Sequence, residues 1–600
     1  MRLFHALCCA TLFPFLLFSQ KKIHTQVLVI GGGTGGVAAG IQSARMQVAT
    51  IIAEPTPWLG GMLTAAGVSA TDGNHRMPAG IWGEFRERLR KHYGGAAALE
   101  TGWVSNTHFE PHIGAAIFKE MADEQPHLNV WYKTIFQKAT KTKKGWKVTL
   151  LRAGKTVTVH CNILVDATDL GDVAAAVGAD YDLGMDSRTQ TGENMAAEQG
   201  NNIVQDLTWC AILKDFGKGS DHTIPRPPNY DPQLYHCACE HHCKGERVLP
   251  CPQMLSYAKL PNEKYLINWP RMGNDFYANL ANLNQKEREI AENEAKNQTL
   301  GFIYFIQNEL GFRNLGLAND EFPTDDKLAL IPYHREGRRV MGLVQLNINH
   351  ILTPYEQQRP LYRTGIAVGD YPIDHHHDKN TSAPNIEFPP IPSFNIPAGC
   401  LIPCNTDHFL VADKAISVTN IVNGASRLQP VVLQIGQAAG IMAAMSVTSQ
   451  KSPRNLSVRA IQTAVLDAKG YLMPYVDVPP THPFSRAIQQ ITATGLLRGV
   501  GEPHEWANRT WFYPDSTILA NVLIHDMKIV FPNKKFPEFP NNRILTNNDL
   551  TNILTYNTNK GLRMEIAEER PLLRGELADL LWKYLGAEAW REVGFDGNFK

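Results

Sequence analysis

The chain has no excess charge of either sign: Lys plus Arg number 58, and so do Asp plus Glu. With no net field, and no stretch where basic residues interleave with aromatics, recruitment of nucleic acid or an anionic surface by overall charge is excluded. There is only one glycine-rich fingerprint of the form G-x-G-x-x-G, so no second dinucleotide site is written in the sequence. No C-x-x-C lies near the helix that follows it, which argues against dithiol–disulfide exchange. Beyond the N-terminus no stretch reads as long and apolar enough to cross a bilayer, and there is no low-complexity tract.

What is present describes a folded globular protein, 44% hydrophobic and 19% charged. A length of 600 residues implies roughly three or four domain-sized units. Residues 1–20, MRLFHALCCATLFPFLLFSQ, have one Arg, an apolar run and a small residue at Ser19, the outline of a secretory signal peptide. The expected mature protein is therefore secreted, periplasmic or held at the cell surface, with no membrane span once the signal is removed. Four of the remaining cysteines, Cys237, Cys239, Cys243 and Cys251, crowd together beside His236, His241 and His242. Two local disulfides, a zinc site and an iron–sulfur site are the open readings. The spacing matches no zinc-finger or ferredoxin pattern, and an oxidising compartment favours disulfides. Cys400 and Cys404 offer a further pair.

The stretch Gln26 to Gly40, QVLVIGGGTGGVAAG, reads as a strand, a glycine turn and a small-residue helix. Gly31 permits the tight turn, Gly33 lets backbone approach a pyrophosphate, and Gly36 lets helix pack on strand, with Gly35 between them. The helix start offers unpaired N–H groups and the positive dipole end to phosphates. A second strand, Gln47 to Ala53, ends at Glu54, where a carboxylate is placed to accept a ribose 2′-hydroxyl. Next, Gly60 and Gly61, followed by Met62, allow close passage over a flat ligand. Glu110 to Ala122 reads as a helix with Pro111 in its first turn. Three β-like runs follow, Leu128 to Lys133, Trp146 to Leu151 and Thr156 to Cys161, and then a buried strand, Ile163 to Asp166, ending in DATDLGD.

These motifs, with YLINWPRMGND, PYHREGRRVMG, IAVGDYPIDHHHD, IPAGCLIP and the segment Phe409 to Ala444, resemble the exported bacterial FAD-dependent oxidoreductases. These belong to the glutathione-reductase-like class with two dinucleotide folds, and their wider relatives include the flavin subunit of heterodisulfide reductases. The resemblance covers residues 25–450. It implies an α/β fold: a Rossmann-like FAD-binding domain built on a ββα sheet, an inserted α+β substrate domain, and a small helical C-terminal domain. It places Ala167 and Thr168 beside the adenosine and phosphate part of FAD. It also directs the start of the helix Val431 to Met445, with Arg427 and Gly436, at the flavin. One departure stands out: where relatives carry Gly-Arg, this chain has Asp413 and Lys414.

The expected division is 1–20 signal peptide, 24–200 and 395–450 FAD-binding domain, 201–394 substrate domain, 451–476 linker and 477–600 C-terminal module. The last resembles a surface-layer-homology module in DVPPTHPFSRAIQQITATGLLRG, WFYPDSTI and LLRGELADLLWKYL, which implies either attachment to a cell-surface polymer or a cap packed on the enzyme. Oxidation by a flavin needs a base, a hydride path and a cation. Asp374, His375 and His377, within the run Asp374 to Asp378, are candidate bases, and Arg335 and Arg338, beside Arg339, a candidate clamp. Ion-pair networks and solvated histidines are the plainer readings of both. The expected activity is removal of hydride from a small organic donor, such as a carbohydrate, another alcohol or an amine, with reoxidation by oxygen, a quinone or a redox partner. The rivals are an electron-transfer flavoprotein with a metal centre and a surface-polymer-binding protein with structural FAD.

Overall fold

The computed structural model describes residues 23–245, 248–504, 506–556 and 568–600; the expected signal peptide lies outside them. Its centre is a parallel sheet. The chain enters through β1 (Val27–Ile30), α1 (Thr34–Arg45) and β2 (Thr50–Ala53), then runs through α2 (Gly80–Tyr93) and α3 (Pro111–Asp123) to β3 (Leu128–Trp131). An antiparallel meander follows, β4 (Thr134–Thr142), β5 (Gly145–Arg152) and β6 (Lys155–Cys161), and β7 (Ile163–Asp166) returns to the first sheet.

The run from Leu128 was expected in the meander, but it pairs in parallel with β2, Thr50 opposite Leu128. The true first meander strand, β4, was not anticipated because most of its side chains are exposed and it shows no apolar alternation.

The inserted region contributes a second sheet of order β9-β10-β8-β11, from β8 (Ala211–Asp215), β9 (Lys259–Leu260), β10 (Lys264–Ile267) and β11 (Leu315–Leu317). Against it lies the long α4 (Gln285–Asn308), started by an Asn284/Glu287 capping box. The cysteine-rich loop of this region is closed on itself by two pairs, Cys237 with Cys243 and Cys239 with Cys251. Cys400, buried, and Cys404, exposed, are not joined, which corrects the third pairing.

The first sheet is completed far downstream by β12 (Phe409–Val411), giving the order β12-β7-β1-β2-β3. Every residue of β1, β2 and β7 is buried, as for parallel strands covered on both faces. The covering helices are α1 and α5 (Gln429–Ser449), which cross closely. A Cβ on Gly436 would lie 2.0 Å from the Gly35 carbonyl, and one on Gly440 2.4 Å from that of Ala39, so glycine sets this crossing. By length and composition α5 is apolar enough to cross a membrane, contrary to expectation, but 83% of its apolar window is buried in this core.

The segment 451–476, expected as a linker, carries a packed helix, α6 (Val458–Asp467), and buried Tyr471, Leu472 and Tyr475. Beyond it α7 (Ser485–Thr492), α8 (Ala520–Val530), α9 (Asn547–Thr555) and α10 (Arg574–Ala589) share one continuous apolar cluster with the central sheet.

Candidate active site

The loop between β1 and α1 opens on a cleft of about 430 Å³ lined by Gly31, Gly33, Glu54, Gly61, Ala167 and Thr168 among others. Three fingerprint glycines are demanded by the protein itself. Gly31 has φ +92° and no room beside the Ala167 carbonyl, a Cβ on Gly36 would sit 1.9 Å from the Gly31 carbonyl, and one on Gly35 2.4 Å from Asp413 N. Gly33 is different. Its backbone is extended (φ −60°, ψ −168°), and a Cβ there meets nothing nearer than Asp413 Oδ2 at 3.4 Å. The protein does not need glycine at 33; a ligand passing over the loop does, and this fits a dinucleotide.

Glu54 lines the cleft as expected, its oxygens accepting N–H bonds from Gly32 at 2.6 Å and Thr56 at 2.7 Å. Burial, outweighing these bonds, pushes its carboxyl up to about 7. Asp166 holds the Ala167–Thr168 turn by accepting from the Thr168 amide and hydroxyl and from Ala174 N–H. The departure at Asp413–Lys414 is a buried network. Asp413, at φ +64°, accepts the Gly35 N–H at 2.9 Å, and Lys414 Nζ bridges Asp413 and Asp169 at 2.8 and 2.5 Å.

At the start of α5 a second, more polar site forms from five distant segments. Arg427 donates to the Tyr333 hydroxyl at 2.6 Å and to Asp374 Oδ2 at 3.0 Å. His376 lies between two carboxylates, Nδ1 at 3.1 Å from Asp275 and Nε2 at 3.1 Å from Asp374. Arg335 donates to Asp275 at 3.1 Å, to the Thr208 hydroxyl and to the Asp206 carbonyl. Burial and Arg335 oppose charge on His376, but Asp374 and Asp275 outweigh them and raise its pKa. Asp374 is held well below the usual range: burial opposes its charge, and His376 and Arg427 more than compensate.

Into this cluster comes Asp72, which sequence reasoning missed. Its Oδ1 is buried with no hydrogen-bond partner among the described residues, as are Gln429 Nε2 and Arg427 Nε. Burial and then the charge of Asp374 push Asp72 up to about 7, against Arg427, His376 and Arg335. Its own N–H points to Gln429 Oε1 at 3.4 Å, at the first turn of α5. These orphaned polar atoms at the helix start fit a polar ring edge placed there. The only sequence signal for Asp72 was its place in the glycine-rich segment after Gly61.

The other expected residues fall as follows. Asp374, Arg335 and Arg427 belong to the cluster. His375 and His377 do not share its ion pairs: His375 Nε2 faces the Ile421 carbonyl at 3.4 Å, His377 faces His375, and burial lowers them to about 3 and about 4. The histidine that joins is their neighbour His376. Arg338 is also a correction, pinned with Arg288 on Asp172, at 2.8 Å, to tie the inserted helix α4 to the turn that follows β7. Arg339 pairs with Asp186 and Glu336. Gly60 (φ +108°) and Gly61 (φ +51°) make the turn that presses on Gly33. Met62, however, is 1% exposed in the apolar cluster of the inserted domain, and Gly436 packs on α1 rather than on the cleft. The four clustered cysteines are paired with one another. Among the described residues one trio of potential metal ligands is close enough to meet, Glu110, His112 and Glu321. The Lys264 ammonium already bonds both glutamates at 2.6 Å.

No curated protein matches. Among solved structures, a p-nitrophenol 4-monooxygenase from Pseudomonas putida is 10% identical with TM-score 0.31, over 75% of this chain and 84% of that one. An anhydrotetracycline hydroxylase from Streptomyces rimosus is 11% identical with TM-score 0.34, over 78% and 72%. An L-proline dehydrogenase from P. horikoshii is 15% identical with TM-score 0.16; there the match spans 28% of this chain and only 25% of that one. Likenesses this distant carry no argument about reaction or substrate. The family model for FAD dependent oxidoreductases, by contrast, matches residues 26–465, from the first strand through α5 and into α6. The fingerprint cleft and this match over more than half its length make the chain a member of the FAD-dependent oxidoreductase family.

Proposed function

We propose that the protein is an exported oxidoreductase that oxidises a carbon bearing oxygen or nitrogen in a small organic donor and passes the electrons to an external acceptor. Oxygen, a quinone or a redox partner would fill that last role. The observation that carries this reading is the buried, unpartnered Asp72 Oδ1 beside Arg427 and the start of α5. When bound, FAD supplies the two-electron acceptor for hydride. The chain's own task is the proton. As the C–H bond of the donor gives up hydride, its O–H or N–H proton goes to Asp72 Oδ1, leaving a C=O or C=N product. A carboxylate titrating near 7 suits that duty. His376, whose pKa Asp374 and Asp275 raise, joins Arg335 and Arg427 as the cationic side of the site. Tyr333, held by Arg427, offers its hydroxyl to orient the donor.

Export is supported by the N-terminal sequence and by the two cysteine pairs, with Cα separations of 5.1 and 4.9 Å, which suit an oxidising compartment. The continuous core favours reading the C-terminal helices as a cap on the enzyme over a detached polymer anchor. The test is the absorbance of the purified protein during anaerobic addition of sugars, polyols and amines. Bleaching by one class, slowed in Asp72→Asn with flavin still bound, is expected. Full-speed bleaching in that variant would remove Asp72 from the mechanism; no bleaching by any class would remove the donor reading.

A further inference from the structure

A cavity of about 260 Å³ lies between the flavin-fold segments and the C-terminal module, lined by His75, Arg76, Asp370, Trp506, Asn508 and Arg509 among others. It is separate from both sites above. Asn508 is 2% exposed. Its Oδ1 accepts the His504 N–H at 2.8 Å, which fixes the amide and leaves Nδ2 buried with no partner among the described residues. His75 Nε2 is likewise buried and unpartnered. His75 and Asn508 both line the cavity, and a buried donor or ring nitrogen with no partner costs free energy until a ligand or a water bonds it. Trp506, in contrast, is 41% exposed, an indole surface left uncovered beside these polar atoms. Arg76 and Arg509 flank the mouth, each directed at the Trp511 ring at 6.0 and 5.8 Å.

An apolar flat face next to several single, directional hydrogen-bonding groups is the complement of a sugar ring, whose C–H face stacks on an aromatic while its hydroxyls point outward. Tyr371 lies between the cavity and the polar cluster. The Tyr371 ring meets Trp506 edge-on at 5.6 Å, and its phenol feels the charges of Asp72 and Asp374. One aromatic side chain thus stands between the cavity and the atom assigned to proton transfer.

We propose that this cavity is a glycosyl subsite, binding one pyranose unit of an oligosaccharide by stacking on Trp506 and bonding to Asn508 and His75, so that the C-terminal module completes the substrate site. This rests on the proposed donor oxidation and names its substrate class. Neutral and acidic sugars share the ring chemistry; the arginines at the mouth would separate them.

The test is calorimetric titration of the flavin-loaded protein with cellotetraose, maltotetraose, mannotetraose and tetragalacturonate. At least one is expected to bind saturably. Trp506→Ala, at an exposed position, should weaken that binding roughly tenfold or more, the loss of one stacking contact with its hydrogen bonds. Asn508→Ala should weaken it as well. A preference for tetragalacturonate that disappears in Arg509→Ala would identify an acidic sugar; equal binding of a neutral probe would identify an uncharged one. No binding by any probe, or an unchanged affinity in Trp506→Ala, overturns the subsite. The two readings fail separately. Sugar binding that persists in Asp72→Asn while no donor bleaches the flavin would sink the oxidation and leave the subsite, whereas bleaching by a simple alcohol or amine with no sugar binding would do the reverse.

Discussion

Replacing Gly33 by Ala isolates the one fingerprint glycine that the fold does not need. The added methyl sits 3.4 Å from Asp413 Oδ2 and 3.6 Å from the Ala167 carbonyl, ordinary contacts, and the backbone is extended. Losing glycine from such a position restricts the unfolded chain, an effect of about 0.4–1 kcal/mol in favour of folding. The melting temperature of the flavin-free protein should therefore stay equal or rise slightly. Flavin binding should suffer instead. A methyl over the loop holds the pyrophosphate away from the α1 amides, and each hydrogen bond to a charged group forfeited is worth about 1.5–3 kcal/mol. One such bond weakens binding roughly tenfold to a hundredfold. Thermal melts and titration of FAD by fluorescence quenching measure the two effects independently. Gly36→Ala is the control, since its methyl would lie 1.9 Å from the Gly31 carbonyl and should prevent folding. A Gly33→Ala protein that retains full flavin affinity, or that does not fold, refutes the placement of the phosphates.

Further outcomes follow from the same geometry. Asp72→Asn should slow the reductive half-reaction by roughly 10²–10⁴-fold, and the wild-type rate should rise with pH through about 7 as Asp72 loses its proton, a limb absent from the variant. Asp370 is pushed by burial from 3.8 up to about 7. The folded chain therefore keeps a proton that the unfolded chain releases, and this part of the stability is lost as pH climbs through that window. Urea melts across it should show Asp370→Asn losing less stability than the wild type. Alkylation and mass spectrometry of the unreduced protein should find Cys237, Cys239, Cys243 and Cys251 blocked and Cys161, Cys210, Cys400 and Cys404 free. Removing the pair that spans Cys239 to Cys251 by Cys239→Ser should cost about 2–4 kcal/mol in thermal or denaturant unfolding.

The nucleotide half of the molecule was legible because its constraints are local. A strand, a turn that forces φ +92° on Gly31 and a helix pressed on that turn leave a fixed order of residues, and Glu54 follows at the end of the next strand. The polar cluster was only half legible. Three consecutive histidines look alike in sequence, yet only His376 lands between Asp275 and Asp374, carboxylates supplied by different segments. Arg335 and Arg338, three positions apart, look like one clamp, but Arg335 reaches Asp275 and Arg338 reaches Asp172. Asp72 carries no motif. Its significance comes from what Gln429, Arg427 and Asp374 bring to it from more than 300 residues away, and no short window holds that information.

The strand β12 has a consequence for how the protein is made. β7 is paired on one side as soon as the first 166 residues exist, but its other partner, Phe409 to Val411, is the last strand of that sheet to be synthesised. Until then a largely apolar edge stands open, a template for pairing with any other extended chain. The inserted domain has to be produced, and find its own core, while this edge waits. Such long-range closure predicts slow assembly and a dependence on chaperones during production. A fragment ending before residue 409 should be insoluble however well its fingerprint is formed.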